Sequence, residues 1–156
     1  MKRILVFLLL LWGTGLYAQI DQIPGTYFKH LGEESHFFEY TLTLNENGTF
    51  LFHSYGNSKV SDPAVDHKYG KGKWTIEMKK NFSTNTFIIS FSADSVTDFD
   101  QKYTLDFNGS KARFISKSQR DITDKVVPIR LQFFESNIFW MERIDIHKKD
   151  TLNEDE

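Results

Sequence analysis

Residues 41 to 52, TLTLNENGTFLF, alternate polar and apolar side chains on both sides of a knot of turn formers. Period-two alternation sends successive side chains to opposite faces of a sheet. Gly48 can take the positive φ that closes a three-residue hairpin turn with a bulge, over Glu46, Asn47 and Gly48. Asn45 then faces Thr49, and counting outward pairs Leu44 with Phe50, Leu42 with Phe52 and Tyr40 with Ser54. On the other side Thr43 meets Leu51 and Thr41 meets His53. One face is apolar and the other mostly polar, as a sheet wrapped around a single core requires.

The pattern recurs along the chain. YGKGKWTIEMK, 69 to 79, sends Gly70, Gly72, Trp74, Ile76 and Met78 to one side and Lys71, Lys73, Thr75, Glu77 and Lys79 to the other. Its two inner glycines mark a bend or a place left empty of side chain. TFIISF, 86 to 91, puts Phe87, Ile89 and Phe91 in phase. Asn108-Gly109 is a two-residue hairpin signal that predicts Phe107 opposite Ser110, Leu105 opposite Ala112, Tyr103 opposite Phe114 and, outside, Asp106 opposite Lys111. A last hairpin turns at Glu135, Ser136 and Asn137 and predicts Phe133 opposite Phe139, Leu131 opposite Met141, Ile129 opposite Arg143 and Arg130 opposite Glu142. With GTYFKH, 25 to 30, as the first strand, the chain reads as an all-β, antiparallel up-and-down barrel of eight to nine strands. Fifteen Phe and only three Pro suit that reading.

Short connections (45 to 48, 80 to 85, 108 to 109, 135 to 137) alternate with longer ones (31 to 36, 56 to 67, 92 to 101, 118 to 127). In a meander successive connections lie at opposite ends, so the short turns are expected at one end and the long loops at the other. Near the short turns the inner residues are apolar: Leu44, Phe50, Met78, Phe87, Phe107, Phe133 and Phe139. Near the long loops they include Tyr40, Ser54, Gly70, Gly72, Tyr103, Ser116 and Arg143. An apolar floor under a polar mouth is a common binding arrangement, and the alternative is a barrel filled throughout by phenylalanine.

Gly25-Thr26-Tyr27 on the first strand, the meander itself, LTLNENGTF followed by GKW, and Arg143 late on the last strand resemble the lipocalin-like, calycin-type barrels of secreted bacterial proteins. Tyr27 stands where lipocalins carry a tryptophan. The resemblance implies a barrel that holds a small, largely apolar molecule at its open end, and an arginine packed on the aromatic of the first strand. Arg143 therefore has two readings, closure against Tyr27 or recognition of a ligand carboxylate. The candidate ligand-binding residues are Tyr40, Phe52, Ser54, Trp74, Tyr103, Phe114 and Arg143.

MKRILVFLLLLWGTGLYAQ has the basic head and short apolar run of a signal peptide, with cleavage expected after Ala18. This predicts an exported protein, periplasmic or extracellular, with no membrane span after cleavage, a barrel domain over 19–146 and a charged tail over 147–156. The chain has no Cys, which removes disulfide and thiolate chemistry. Acidic side chains (21) outnumber basic ones (19), so no nucleic-acid partner is expected. No nucleophile elbow, phosphate loop or dinucleotide fingerprint is present, no catalytic residue or cofactor is implied, and binding is favoured over catalysis. His30, His36, His53, His67 and His147 lack zinc-site spacing, and Asp94, Asp98 and Asp100 do not match a calcium loop, so no metal is assigned. The alternative function is a cell-envelope interaction module, whose protein partner would meet Phe134, Ile138 and Trp140 on the outer face near the last turn unless Ile20 to Pro24 cover them.

Overall fold

The computed structural model describes residues 20–60, 63–80, 85–118 and 121–149. The signal peptide expected over 1–18, the 81–84 connection and the end of the charged tail lie outside the described residues. Eight antiparallel strands close into an up-and-down barrel in sequence order: β1 (Gly25–Glu33), β2 (His36–Leu44), β3 (Thr49–Ser58), β4 (Val65–Lys80), β5 (Asn85–Ser92), β6 (Lys111–Ile115), β7 (Arg130–Glu135) and β8 (Asp145–Lys148). β8 pairs with β1 through Tyr27↔Lys148 and Phe28↔His147, so His147 and Lys148 belong to the barrel and not to a tail. Among the described residues no helix is long and apolar enough to cross a membrane.

The β2–β3 hairpin has the expected register, Tyr40↔Ser54 through Leu44↔Phe50. Gly48 at φ +79° turns the chain, and Asn45 N–H donates to Thr49 O at 2.9 Å. Trp74 N–H then donates to Gly48 O at 2.8 Å and its indole Nε1 to Asn45 O at 3.0 Å, tying β4 to the turn. β4 is long because it serves two neighbours: Val65 to Lys73 pair with β3, and Lys73 to Lys80 pair with β5. Gly72 sits at the handover. A Cβ there would lie 2.2 Å from Ser92 O and 2.9 Å from the Phe50 ring, and one on Gly70 would lie 2.7 Å from the Phe107 ring. Both glycines leave space, and phenylalanine rings take it.

Two expected hairpins differ. Asn108-Gly109 does form a turn, with Ser110 N–H donating to Phe107 O at 2.9 Å, but 103–107 is not a strand partner of β6. β6 pairs instead with β5 (Phe87↔Phe114, Ile89↔Ala112), while Thr104 and Leu105 donate to Tyr69 O on β4. Leaving the sheet lets Phe107 turn fully inward over Gly70. Lys111 accordingly meets Glu135 at 2.7 Å and not Asp106, a surface pair of small energetic weight.

β7 pairs with β8 as Arg130↔His147, Leu131↔Ile146 and Gln132↔Asp145, which leaves 136–144 as a wide loop. Phe139 is therefore 87% exposed rather than opposite Phe133, and Arg130 Nε lies 3.1 Å from Asp145 Oδ2 rather than facing Glu142. The loop turns inward instead: Ile138 and Met141 are buried, Met141 N–H donates to Ile138 O at 2.8 Å, and Arg143 at φ +69° leads into β8.

With one strand fewer in the middle, the ends sort differently from expectation. The N-terminal segment, the 45–48 turn and the 116–129 connection share the lower end. The tight 34–35 turn and the 59–64, 93–110 and 136–144 connections share the upper end. Ile20 and Ile23 close the lower end against the core, where the Tyr27 hydroxyl donates to Ile23 O at 2.6 Å. Burial pushes that hydroxyl's pKa up, keeping it a donor. This segment does not cover Phe134, which carries the Arg113 guanidinium 4.8 Å from its ring on the outer face.

Candidate functional site

The barrel interior is a continuous cluster of aromatic rings. Phe50 meets Phe91 at 5.1 Å and Phe107 at 5.2 Å, Phe107 meets Phe52 at 4.9 Å, and Phe91 stacks on Phe133 at 5.4 Å. At the upper end Trp140, carried by the 136–144 loop, stacks on Tyr40 at 4.9 Å and lies 6.0 Å from Phe52. Phe38 covers Gly56 next to it. Small side chains on the upper half of β3, Ser54, Gly56 and Ser58, are the complement of these capping rings.

The seven expected ligand-binding residues separate into five places. Tyr40, Phe52 and Ser54 do come together, on the inner upper wall beneath Trp140. Trp74 lies at the lower end beside the 45–48 turn, and buried Phe114 pairs with Phe87 on β5 and Leu131 on β7. Arg143 is exposed on the 136–144 loop, its backbone N–H donating to Phe133 O, whereas Tyr27 is enclosed at the lower end. It neither closes the barrel against Tyr27 nor joins Tyr40. Tyr103 is on the outside. Of the three residues expected to form an outer aromatic patch, Ile138 and Trp140 turn inward and Phe134 stays out, so no such cluster exists.

A different site lies on the outer face of β2, β3 and β4. A groove of about 260 Å3 is lined by Thr41, Thr43, Leu51, Phe52, His53, Tyr69, Lys102 and Tyr103. Strand alternation puts Thr41, Thr43, Leu51, His53 and Tyr69 on this face, and Leu51 is 47% exposed there, an apolar residue on an otherwise polar wall. The 93–110 connection supplies the opposite lip. Tyr103 bridges in parallel to Tyr69 and meets its ring edge-on at 6.0 Å. The Lys102 ammonium lies 4.5 Å from the Tyr69 centroid and that of Lys71 4.6 Å from the Tyr103 centroid, both within cation–π range.

The row of rings continues across the sheet. His53 is parallel to Tyr69 (4.6 Å, 7°) and to His67 (5.2 Å, 6°), and His67 adjoins Tyr55, which adjoins Phe37. Partial burial, His67 and then Lys102 hold the His53 pKa below its usual value, so the ring is neutral at neutral pH.

Aspartates hold the lip in place. Asp100 Oδ1 accepts from Lys102 N–H and Tyr103 N–H, each at 2.8 Å, and Asp94 Oδ1 accepts from Val96 and Thr97 N–H. The acidic loop is thus a set of backbone staples. The Tyr103 and Lys102 amides, with Lys71 adding charge, hold the Asp100 carboxyl below its ordinary 3.8. A carboxyl depressed on folding stabilises above its unfolded pKa and loses that contribution as pH falls through the folded value. Acid is therefore expected to loosen the lip first: below about pH 4, hydrogen exchange at the Lys102 and Tyr103 amides should accelerate before that of Phe52 or Ile89. Simultaneous opening of all four amides would contradict this role of Asp100.

The outer position of His53 followed from the alternation, but Lys102, Tyr69 and Tyr103 meet only through the fold. The readable signal for the site was Leu51, apolar on the wet face of a clean alternation. No protein-family model, no curated protein and no solved structure matches this chain.

Proposed function

We propose that this chain is an exported binding protein whose ligand sits in the outer groove between Tyr69 and Tyr103, with the packed barrel serving as its rigid support. The observation that carries the reading is the groove itself, with tyrosine rings, two threonine hydroxyls, His53 and Lys102 around one concavity. Such a lining suits a sugar ring. Its C–H face rests on the electron-rich face of an aromatic ring, displacing the lysine ammonium groups that lie over Tyr69 and Tyr103, while its hydroxyls meet polar groups at the edge. A groove open on a sheet surface also admits a chain longer than one ring, so the ligand class is a short glycan rather than the largely apolar molecule expected from sequence.

The test is calorimetric titration of the processed protein with cellobiose and maltose, as β- and α-linked probes. Binding of one of them should weaken about tenfold in Tyr103→Ala, the order of a single stacking contact. Equal affinity in that variant, or no binding of either probe, would count against the reading.

A second reading is favoured by Trp140. Its stack on Tyr40, with Phe52 6.0 Å away, occupies the place where the resemblance to lipocalin-like barrels puts a ligand. Displacement of the 136–144 loop would expose the inner wall to a small apolar molecule.

A further inference from the structure

His53 Nε2 and His67 Nδ1 lie 2.9 Å apart, bridged across β3 and β4 by a single proton. The rings are coplanar to within 6° with centroids 5.2 Å apart, so the two nitrogens point at each other edge to edge. The pair is diagonal in the sheet, since His53 stands opposite Tyr69 and His67 opposite Tyr55. Tyr69, parallel to His53 at 4.6 Å, fixes the orientation of that ring, while His67 is exposed. Among the described residues neither imidazole has a carboxylate ion partner, in contrast to His30, whose Nδ1 is 3.3 Å from Glu39 Oε1.

We propose that His53 and His67 form a surface chelate for a divalent transition metal of tetragonal preference, Cu(II) above the others. A metal bonded to both nitrogens at the usual 2.0–2.1 Å, with the nitrogens 2.9 Å apart, subtends an angle of about 90°. That is the angle between adjacent positions of a square-planar or tetragonal ion. Copper also stands highest in the affinity order for nitrogen donors. The metal takes the place of the shared proton, which passes through water to the other nitrogen of the ring that carried it; each ring tilts to aim its lone pair outward, and water completes the coordination. Among the described residues no group of three or more histidine or carboxylate side chains could hold a metal, which makes this a two-donor site by construction.

Lys102 works against the metal, because its ammonium over Tyr69 repels a second cation next to His53.

Cu(II) alone is added to the metal-free processed protein at neutral pH, and binding is followed by titration and by electron paramagnetic resonance. One equivalent should bind with the signature of two equatorial imidazoles. His53→Gln and His67→Gln should each weaken it roughly a hundredfold, as expected when the second donor of one chelate is removed. His36→Gln should leave it unchanged, and Lys102→Gln should tighten it. In the unmodified protein, paramagnetic broadening should centre on Leu51, His53, His67 and Tyr69, a readout that needs no variant to fold. Copper bound equally well by His53→Gln, or broadening centred elsewhere, would overturn the site. Because Tyr103→Ala should leave copper binding intact, failure of the glycan reading and failure of this one are separable.

Discussion

Phe107→Ala is expected to destabilise the barrel by about 3–5 kcal/mol, a large share of the roughly 5–15 kcal/mol that holds a domain together. Phe107 is fully buried although it belongs to no strand. Its ring touches Phe50, Phe52 and Phe91 and fills the space over Gly70, where no side chain could fit beside it. Truncation removes that apolar area from the core and leaves a cavity between the Phe50, Phe52 and Phe91 rings and the backbone at Gly70, which rings anchored on strands close only in part. Urea unfolding should report a lower midpoint with unchanged slope. Phe139→Ala is the control: 87% exposed, it should change stability by no more than about 0.5 kcal/mol. A loss below about 1 kcal/mol at Phe107 would mean that the 103–110 segment is not part of the core.

Trp140→Ala is expected to have a smaller cost, about 2 kcal/mol, because the side chain is only half-buried. Its effect on the interior should be the larger one. Removing the indole uncovers Tyr40 and Phe52 at the upper end and creates an apolar recess where its ring now lies. The dye 8-anilinonaphthalene-1-sulfonate, which brightens on apolar surface, should fluoresce with the variant and stay dark with the unmodified protein. Strong fluorescence of the unmodified protein, quenched by competition with a fatty acid, would favour the inner-wall reading over the groove.

The first two-thirds of the barrel were legible because local chemistry and burial agree. Asn45 and Gly48 set one register, and that register puts Leu42, Leu44, Phe50 and Phe52 inside together. In the last third they compete. Asn108-Gly109 does make its turn, yet the strands flanking it do not pair, because β6 finds a better partner in β5 and Phe107 is worth more inside than in a ladder. Likewise the alternation in 138–144 gives way to a loop that carries Ile138, Trp140 and Met141 inward as a cap. Alternation identifies which residues share a face only while the chain stays in the sheet.

The candidate site was half legible for the same reason. Parity alone placed Thr41, Thr43, Leu51 and His53 outside. His67 read as a loop residue because the polar start of β4, Val65 to Lys68, carries no alternation, yet pairing with β3 extends to Val65 and brings His67 against His53. Lys102 and Tyr103 reach the groove through a loop stapled by Asp100, a contact with no local signature.

On the proposed reading the outer face, and not the interior, meets the ligand. The decisive measurement is amide and side-chain shift mapping, during titration with cellobiose and maltose, of the mature form expected from the sequence, residues 19–156. Shifts should gather on Thr41, Leu51, His53, Tyr69, Lys102 and Tyr103, with Tyr40, Ser54 and Phe114 unmoved. Shifts centred on Tyr40, Ser54 and Trp140, with the groove silent, would contradict it.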